Sequence, residues 1–309
     1  MWWYLFRRAV GMLVAVLAVS LLTYTALTSA PGDAARALLG DNASDEQVSL
    51  LREQMRLDAP LLERYGDYMA AALLRGDLGQ SLVSGRGVAD LVAERLPATL
   101  LLSTVAVGLA AIAGPALGVL AAMRPGSRLD LAVMSGVALG LATPSYWVAL
   151  LLVLAFSLRL HWLPAFGAGT PAHLVLPAVT LALPSMALVA RMIRASLLEV
   201  WSADYVRTAR AKGLSARQTL LRHVLPNSLV PSLTMLGLNL GHLLGGAFVV
   251  ETVFAWPGLG RLTVQAIFAR DIPVVMGAVL IVAPLCLLLN LVVDLVQGAL
   301  DPHVRAEGL

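Results

Sequence analysis

The sequence predicts an all-α polytopic membrane protein, with six transmembrane helices, both termini cytoplasmic, and a helical extracytoplasmic loop after the first helix. Three observations carry this. Hydrophobic residues make up 59% of the 309 positions and charged residues only 13%, against roughly 25% charged in ordinary soluble proteins. A mean hydropathy of +0.81 is more apolar surface than a soluble fold of this length can bury. Apolar runs long enough to cross a bilayer recur along the chain, and basic residues gather on alternate connections between them.

A hydrocarbon core of about 30 Å takes about 20 helical residues. Runs of that kind cover approximately residues 9–30, 97–122, 130–158, 173–195, 228–252 and 273–298. The first follows Arg7 and Arg8, which would be held inside. Thr28-Ser29-Ala30 resembles a signal-peptidase site, but the apolar run is long for a cleaved leader, so a retained helix is expected. Alternating from the inside, the cytoplasmic segments collect Arg7, Arg8, Arg124, Arg128, Arg191, Arg194, Arg207, Arg210, Lys212, Arg217, Arg222 and Arg305. The short outer loops hold only Arg159, Arg261 and Arg270. That asymmetry orients the chain, long loops counting little. The organisation expected is an N-terminal segment and first helix (1–30), an extracytoplasmic loop (31–96), a five-helix core (97–298) with a long cytoplasmic loop (196–227), and a cytoplasmic tail (299–309).

The first outer loop has helical patterning. Ser44 and Gln47 read as a capping box, and Leu61, Tyr65, Tyr68, Met69 and Ala72 fall on one helical face. Gly76-Asp77-Leu78-Gly79 stops that helix. The loop is read either as a cap on the outer membrane face or as a contact surface for a soluble extracytoplasmic partner. The two readings are compatible.

Chemistry is sparse. Cys286 is the one cysteine, so no intrachain disulfide forms. The five histidines, at 161, 173, 223, 242 and 303, share no metal-ligand spacing. The single lysine, Lys212, precedes Gly213 and not the Ser or Thr that a phosphate-binding loop requires. No Ser-His-Asp, paired-carboxylate or zinc arrangement supports a hydrolase. A small net charge of +3 gives no sign of nucleic-acid binding, and no metal or cofactor site is expected.

The basic island from Asp204 to Pro226 is the most informative stretch. If residues 202–212 are helical, Tyr205, Val206, Ala209 and Lys212 or Gly213 lie near one edge. Arg207, Arg210 and Arg217 then face solvent or an acidic partner. Gly213 ends the helix through the left-handed conformation that glycine tolerates, and Pro226 prevents simple continuation upstream and marks entry to the fifth span. Such a helix is a handle for a soluble domain. The bland alternative is a positive-inside anchor loop with no partner.

The island resembles the signature loop of bacterial ABC importer permeases. There, a Glu-Ala-Ala triplet is followed after three residues by glycine and after nine more by Ile-x-Leu-Pro. Ala209, Gly213, Leu225 and Pro226 fall at the matching spacings, while Arg207, Thr208 and His223 depart from the pattern. Tyr205 to Gly213 is instead similar to the peptide-permease branch. Gly76-Asp77-Leu78-Gly79-Gln80-Ser81, Arg95 to Leu100, Thr143-Pro144-Ser145-Tyr146-Trp147, Leu163-Pro164, Glu251-Thr252-Val253-Phe254, Pro257 to Arg261 and Leu300 to Arg305 resemble the same family in order. The long first loop is like the first, B-type permease of dipeptide, oligopeptide and nickel importers.

The resemblance implies a subunit without a nucleotide site of its own. ATP and magnesium would sit in two cytoplasmic ABC ATPases. A second permease, forming a heterodimer, and an extracytoplasmic solute-binding protein complete the assembly, embedded in membrane lipid. Tyr205, Arg207, Ala209, Arg210, Lys212 and Gly213 would form the ATPase-coupling helix, carrying di- or oligopeptide import across the bacterial cytoplasmic membrane. Nickel or another small solute fits the same type.

Within the fifth span, Gly237, Gly241 and Gly245 recur every four residues and favour close helix packing. Asn239 and His242 flank them, as pathway-lining groups or as interhelical hydrogen-bonding groups. Glu251, near the outer end, is read as a pathway or gate group or as one that simply reaches interfacial water, and Asp294 as pairing with an arginine such as Arg191 or Arg194 in preference to proton coupling. Pro257-Gly258-Leu259-Gly260 is a turn at the outer mouth, either a gate or a cap. An ion-coupled secondary transporter is the rival class, but few acids lie within the spans and no internal duplication is evident. A purely structural scaffold, the other rival, would tolerate changes at Gly213.

Overall fold

The computed structural model describes residues 2–29, 36, 39, 43–54, 58–229, 243, 245 and 247–300. Among them the chain is helical, with one isolated bridge, Gln80 to Gly87, as its only extended pairing. The helices are α1 (Trp2–Thr28), α2 (Asp45–Gln54), α3 (Leu61–Arg75), α4 (Val88–Ala122), α5 (Arg128–Ala142), α6 (Ser145–Leu152) with a π-helical continuation (Val153–Arg159), and α7 (Ala172–Trp201). They continue as α8 (Asp204–Ala211), α9 (Ala216–Thr219) with a π-helical turn (Leu220–Val224), α10 (Leu259–Phe268) and α11 (Ile272–Leu300). Residues 247–253 are also helical.

Among the described residues, four helices are long and apolar enough to cross a membrane, within α1, α4, α7 and α11. The stretch expected to be one third span is instead two helices, α5 and the α6 continuation, bent by 113°. Pro144 causes the break: it has no N–H to donate, and it drives the preceding residue out of the helical region. Thr143 accordingly sits at φ −88°, ψ 126°, and its hydroxyl returns to the Leu139 carbonyl at 2.7 Å. Most of the expected fifth span, with Gly237, Asn239, Gly241 and His242, lies outside the described residues.

The chain divides into two compact units, residues 1–99 with 257–288, and 100–256 with 289–308. In the first, hydroxyls along α1 fold back on their own helix: Thr23, Thr25 and Thr28 each bond the carbonyl four residues earlier at 2.8 Å. That is how a polar side chain is carried in an apolar span. Buried Ser20 meets the Tyr65 hydroxyl at 2.8 Å, which docks α3 on α1. The capping box forms as expected, with Gln47 N–H on Ser44 Oγ at 3.2 Å and Ser44 N–H on Gln47 Oε1 at 3.0 Å. Gly76 ends α3 at φ +67°. Below it, Val88 and Val92 of α4, Leu259 and Ala266 of α10, and Val274 and Val275 of α11 form one buried cluster.

In the second unit α7 is the central helix. Val189, Ile193 and Leu197 pack with Ala110 of α4, Val206 of α8 and Val224 of the π turn. Glycines make the α4 approach close. A Cβ at Gly118 would lie 2.6 Å from the Ala190 carbonyl oxygen, and one at Gly114 2.8 Å from Val189. Small residues at such contacts are the usual source of tight packing between membrane helices.

Candidate functional site

An eight-residue helix is marginal in water, so α8 depends on what it docks against and how it ends. Val206 and Ala209, three apart on one face, are buried, Val206 completely. Burying a valine side chain contributes roughly 1.5–3 kcal/mol. The end is closed by two backbone bonds: Gly213 N–H reaches the Arg210 carbonyl at 2.9 Å, and Leu214 N–H the Ala209 carbonyl at 3.4 Å. This is the Schellman pattern, and Gly213 supplies the left-handed residue it needs at φ +87°. A Cβ there would touch nothing within 4 Å, so glycine is required for conformation and not for space.

The remaining side chains of α8 point away from that packing. Arg207, Arg210 and Lys212 are exposed, as is Tyr205 at 46%. Tyr205 therefore leaves the edge it was expected to share with Val206 and Ala209, because successive helical residues are 100° apart and Val206 is the residue packed into the α7 cluster. Arg207 makes one loose ion pair with Asp204, at 3.4 Å and largely in solvent. Arg210 lies over the Trp201 ring, 4.5 Å from its centroid, a cation–π contact of about 0.5–1 kcal/mol at an exposed site. The result is a helix fixed on one side and presenting cations on the other.

The connection beyond Gly213 is ordered by a second capping box that the sequence also spelled as Ser-x-x-Gln. Ser215 N–H bonds Gln218 Oε1 at 3.0 Å, and Gln218 N–H bonds Ser215 Oγ at 3.3 Å. Helix lies on both sides of Pro226, and its upstream part is not a simple α-helix. The preceding residues widen into a π turn, Leu225 N–H bonding the Leu220 carbonyl, and helix continues through residues 225–229. A π turn re-satisfies the ladder where proline removes a donor.

Arg194 is not available to Asp294. Its Nε and Nη2 clasp Asp130 at 2.6 and 2.7 Å, joining α7 to the start of α5. Asp130 also accepts Gly126 N–H at 2.9 Å, and Ser127 caps α5. The sequence signal was there in Ser127-Arg128-Leu129-Asp130, a cap motif directly after Pro125-Gly126. A second carboxylate missed by sequence reading is Asp271. It is buried and accepts the Ser81 hydroxyl at 2.5 Å, Leu82 N–H at 3.1 Å and Val83 N–H at 3.4 Å. It thereby pins the turn that ends the loop preceding α4.

The candidate pathway residues divide. Asn239 and His242 lie outside the described residues. Glu251 does not reach interfacial water: it is fully buried. The helical residues 247–253 end in a tight turn, with Trp256 N–H on the Glu251 carbonyl at 2.9 Å, and Phe254 and Trp256 buried in it. Pro257-Gly258 leads into α10 rather than forming a free turn. Leu259 N–H donates to Thr99 Oγ1 at 2.8 Å, and Leu259 and Gly260 are buried. Among the described residues no group of three His, Cys, Asp or Glu is placed to hold a metal.

Comparison with known proteins gives this arrangement a lineage. Residues 114–306 match the family described as binding-protein-dependent transport system inner membrane component, and residues 1–103 match its N-terminal membrane component. The chain is 41% identical over 302 residues to the glutathione transport system permease protein GsiC of Escherichia coli O6:H1. It is 40% identical to GsiC of E. coli K12 and of Shigella dysenteriae. In each case 98% of both chains is covered. Among solved structures, the inward-facing MetNI methionine ABC transporter matches at TM-score 0.54 and 25% identity, over 70% of this chain and 95% of that one. An amino acid ABC transporter matches at TM-score 0.52 and 20% identity, over 70% and 94%, a likeness of fold. The docked, glycine-terminated α8, the α4–α7 packing and the two matched regions together place the chain in the binding-protein-dependent transport family, as a permease subunit of an ABC importer.

Proposed function

We propose that this chain is the first permease of a peptide importer, moving di- or oligopeptides of glutathione size across the cytoplasmic membrane. It does so through six spans, with α8 on the cytoplasmic side. The relatives named for glutathione transport support the solute class. The observation that carries the coupling role is the two-sided character of α8. Val206 holds it to α7 and Ala209 is buried, while Tyr205, Arg207, Arg210 and Lys212 are exposed.

The partners are a second permease, two ATPases that bind ATP and magnesium, and a solute-binding protein. An ATPase that grips α8 differently in its two states biases the permease between inward and outward openings by that difference in contact energy. Force applied to α8 passes through Val206 into the α7 cluster, because packed interiors transmit displacement. Asn239, His242, Glu251 and Pro257 to Gly260 are assigned to the pathway or its gate.

The test is a pair of variants at Gly213 in cells carrying the whole importer. Gly213→Val abolishes peptide uptake and reduces recovery of the ATPase while leaving the chain in the membrane, because a β-branched residue resists φ +87°. Gly213→Asn, which tolerates that region, retains both. Normal uptake by the valine variant overturns the assignment of α8.

A further inference from the structure

A cavity of about 700 Å³ opens between the ends of α4 and α7 and the π turn, inside the roughly 300–1,000 Å³ range of small-molecule sites. Val119 and Met123, Leu198, and Leu221 give it apolar walls. Its one charged wall residue is Arg217, and Trp201 forms another wall. The face of that indole carries the Arg210 guanidinium. Arg124, between the wall residues Met123 and Pro125, is exposed. Among the described residues no acid lines the cavity, and exposed Glu199 is the nearest acid in sequence to Trp201. Apolar walls that include one arginine, with a second arginine on the indole that forms another wall, suit one kind of occupant: an amphiphile with a hydrocarbon body and an anionic head.

On the topology proposed above, on which this inference rests, the cavity faces the cytoplasmic leaflet, where such amphiphiles are acidic phospholipids. Basic pockets between membrane helices on that side favour their headgroups. We infer that the cavity between α4, α7 and the π turn binds an acidic phospholipid. Its chain lies against Val119, Leu198 and Leu221, and its phosphate lies beside Arg217. The bound lipid touches Trp201, the residue on which Arg210 of α8 rests, so its occupancy acts on the element that couples to the ATPase. Uptake then depends on the acidic lipid content of the membrane.

The experiment uses the complete importer, purified in a neutral detergent, with bound lipids extracted and counted. It then uses the same sample in nanodiscs of phosphatidylcholine with and without phosphatidylglycerol. Wild type retains phosphatidylglycerol in preference to phosphatidylethanolamine. Arg217→Gln lowers that retention about fivefold, as loss of one basic group near an anionic head implies. Leu198→Trp, which fills the cavity without changing charge, lowers it as well. A photoreactive phosphatidylglycerol analogue forms adducts within residues 197–201 or 217–221.

Equal retention by all three proteins, or adducts confined to other segments, overturns the site. So does cross-linking of Met123→Cys to the second permease, which would make the cavity a protein interface. Recovery of the ATPase, read on the same samples, separates the two claims. A purified importer that recovers its ATPase but retains no phosphatidylglycerol in preference to phosphatidylethanolamine refutes the lipid site alone, whereas failure to recruit any ATPase refutes the coupling role of α8.

Discussion

Gly118 is the position where one methyl group should cost most. Its Cβ would stand 2.6 Å from the Ala190 carbonyl oxygen and 2.7 Å from Ile193 Cβ. A relaxed carbon–oxygen contact is about 3.3 Å, so α4 and α7 must part by roughly 0.7 Å. The obstacle is backbone and cannot rotate aside. A gap of that order removes a quarter to a half of the dispersion energy along the seam, and overpacking costs about 1–3 kcal/mol. Gly118→Ala should fall at the upper end. Gly114→Ala should fall lower, its nearest backbone atom being Met186 O at 3.1 Å. Gly108, on the same helix, has nothing within 4 Å, so Gly108→Ala gains up to about 1 kcal/mol of helix propensity. The Gly114/Gly118 double variant should lose less than the sum, since one displacement relieves both. Thermal unfolding in mild detergent, followed by circular dichroism, reads the series. A shift of roughly 2–10 °C is expected for Gly118→Ala. Equal stability of Gly118→Ala and Gly108→Ala would refute the packing argument.

Three further outcomes follow from single contacts. Asp271→Ala leaves the Ser81 hydroxyl and two backbone N–H groups without their acceptor, at about 1–3 kcal/mol for each group that stays buried. Limited proteolysis should then cut within residues 81–87 faster, with Asp271→Asn intermediate; unchanged cleavage argues against the pin. Arg194→Met strands the Asp130 carboxylate and should reduce the amount of folded protein more than the Asp130→Asn/Arg194→Met double variant. The reverse order would show that the pair is not what holds α5 to α7. Burial raises the Tyr68 phenol above its ordinary pKa of 10, with the Asp77 carboxylate adding to the shift. The unfolded segment therefore ionises first as pH rises, and α3 loses stability above about pH 10. Tyr68→Phe should remove that loss and cost little below it, since the hydroxyl has no hydrogen-bond partner. Hydrogen exchange of α3 against pH checks both.

Much of the architecture was legible because membrane helices are written in hydrophobicity. The long runs within α1, α4, α7 and α11 were found from apolar length alone, and Ser44, Gly76 and Gly213 were placed by cap chemistry that depends on a few local residues. What failed was tertiary. A hydropathy window cannot distinguish a straight span from one bent at Pro144, since both arms are equally apolar. Nor can it show that Glu251 is enclosed or that Arg194 belongs to Asp130, 64 residues away. Tyr205 was misplaced because an eight-residue helix has two possible edges, and only packing against α7 selects the one that holds Val206. Asp271 carried no motif; its role exists only once residues 81–83 fold back on it.

The account turns on whether α8 is the surface an ATPase grips. The most direct measurement is photocrosslinking in intact cells from a benzoylphenylalanine at Tyr205, which is exposed and outside the α7 packing. The account predicts an adduct with an ABC ATPase that diminishes with Gly213→Val and is absent from the membrane-exterior face. Peptide uptake that persists with no ATPase adduct, or an adduct with an extracytoplasmic protein, contradicts it.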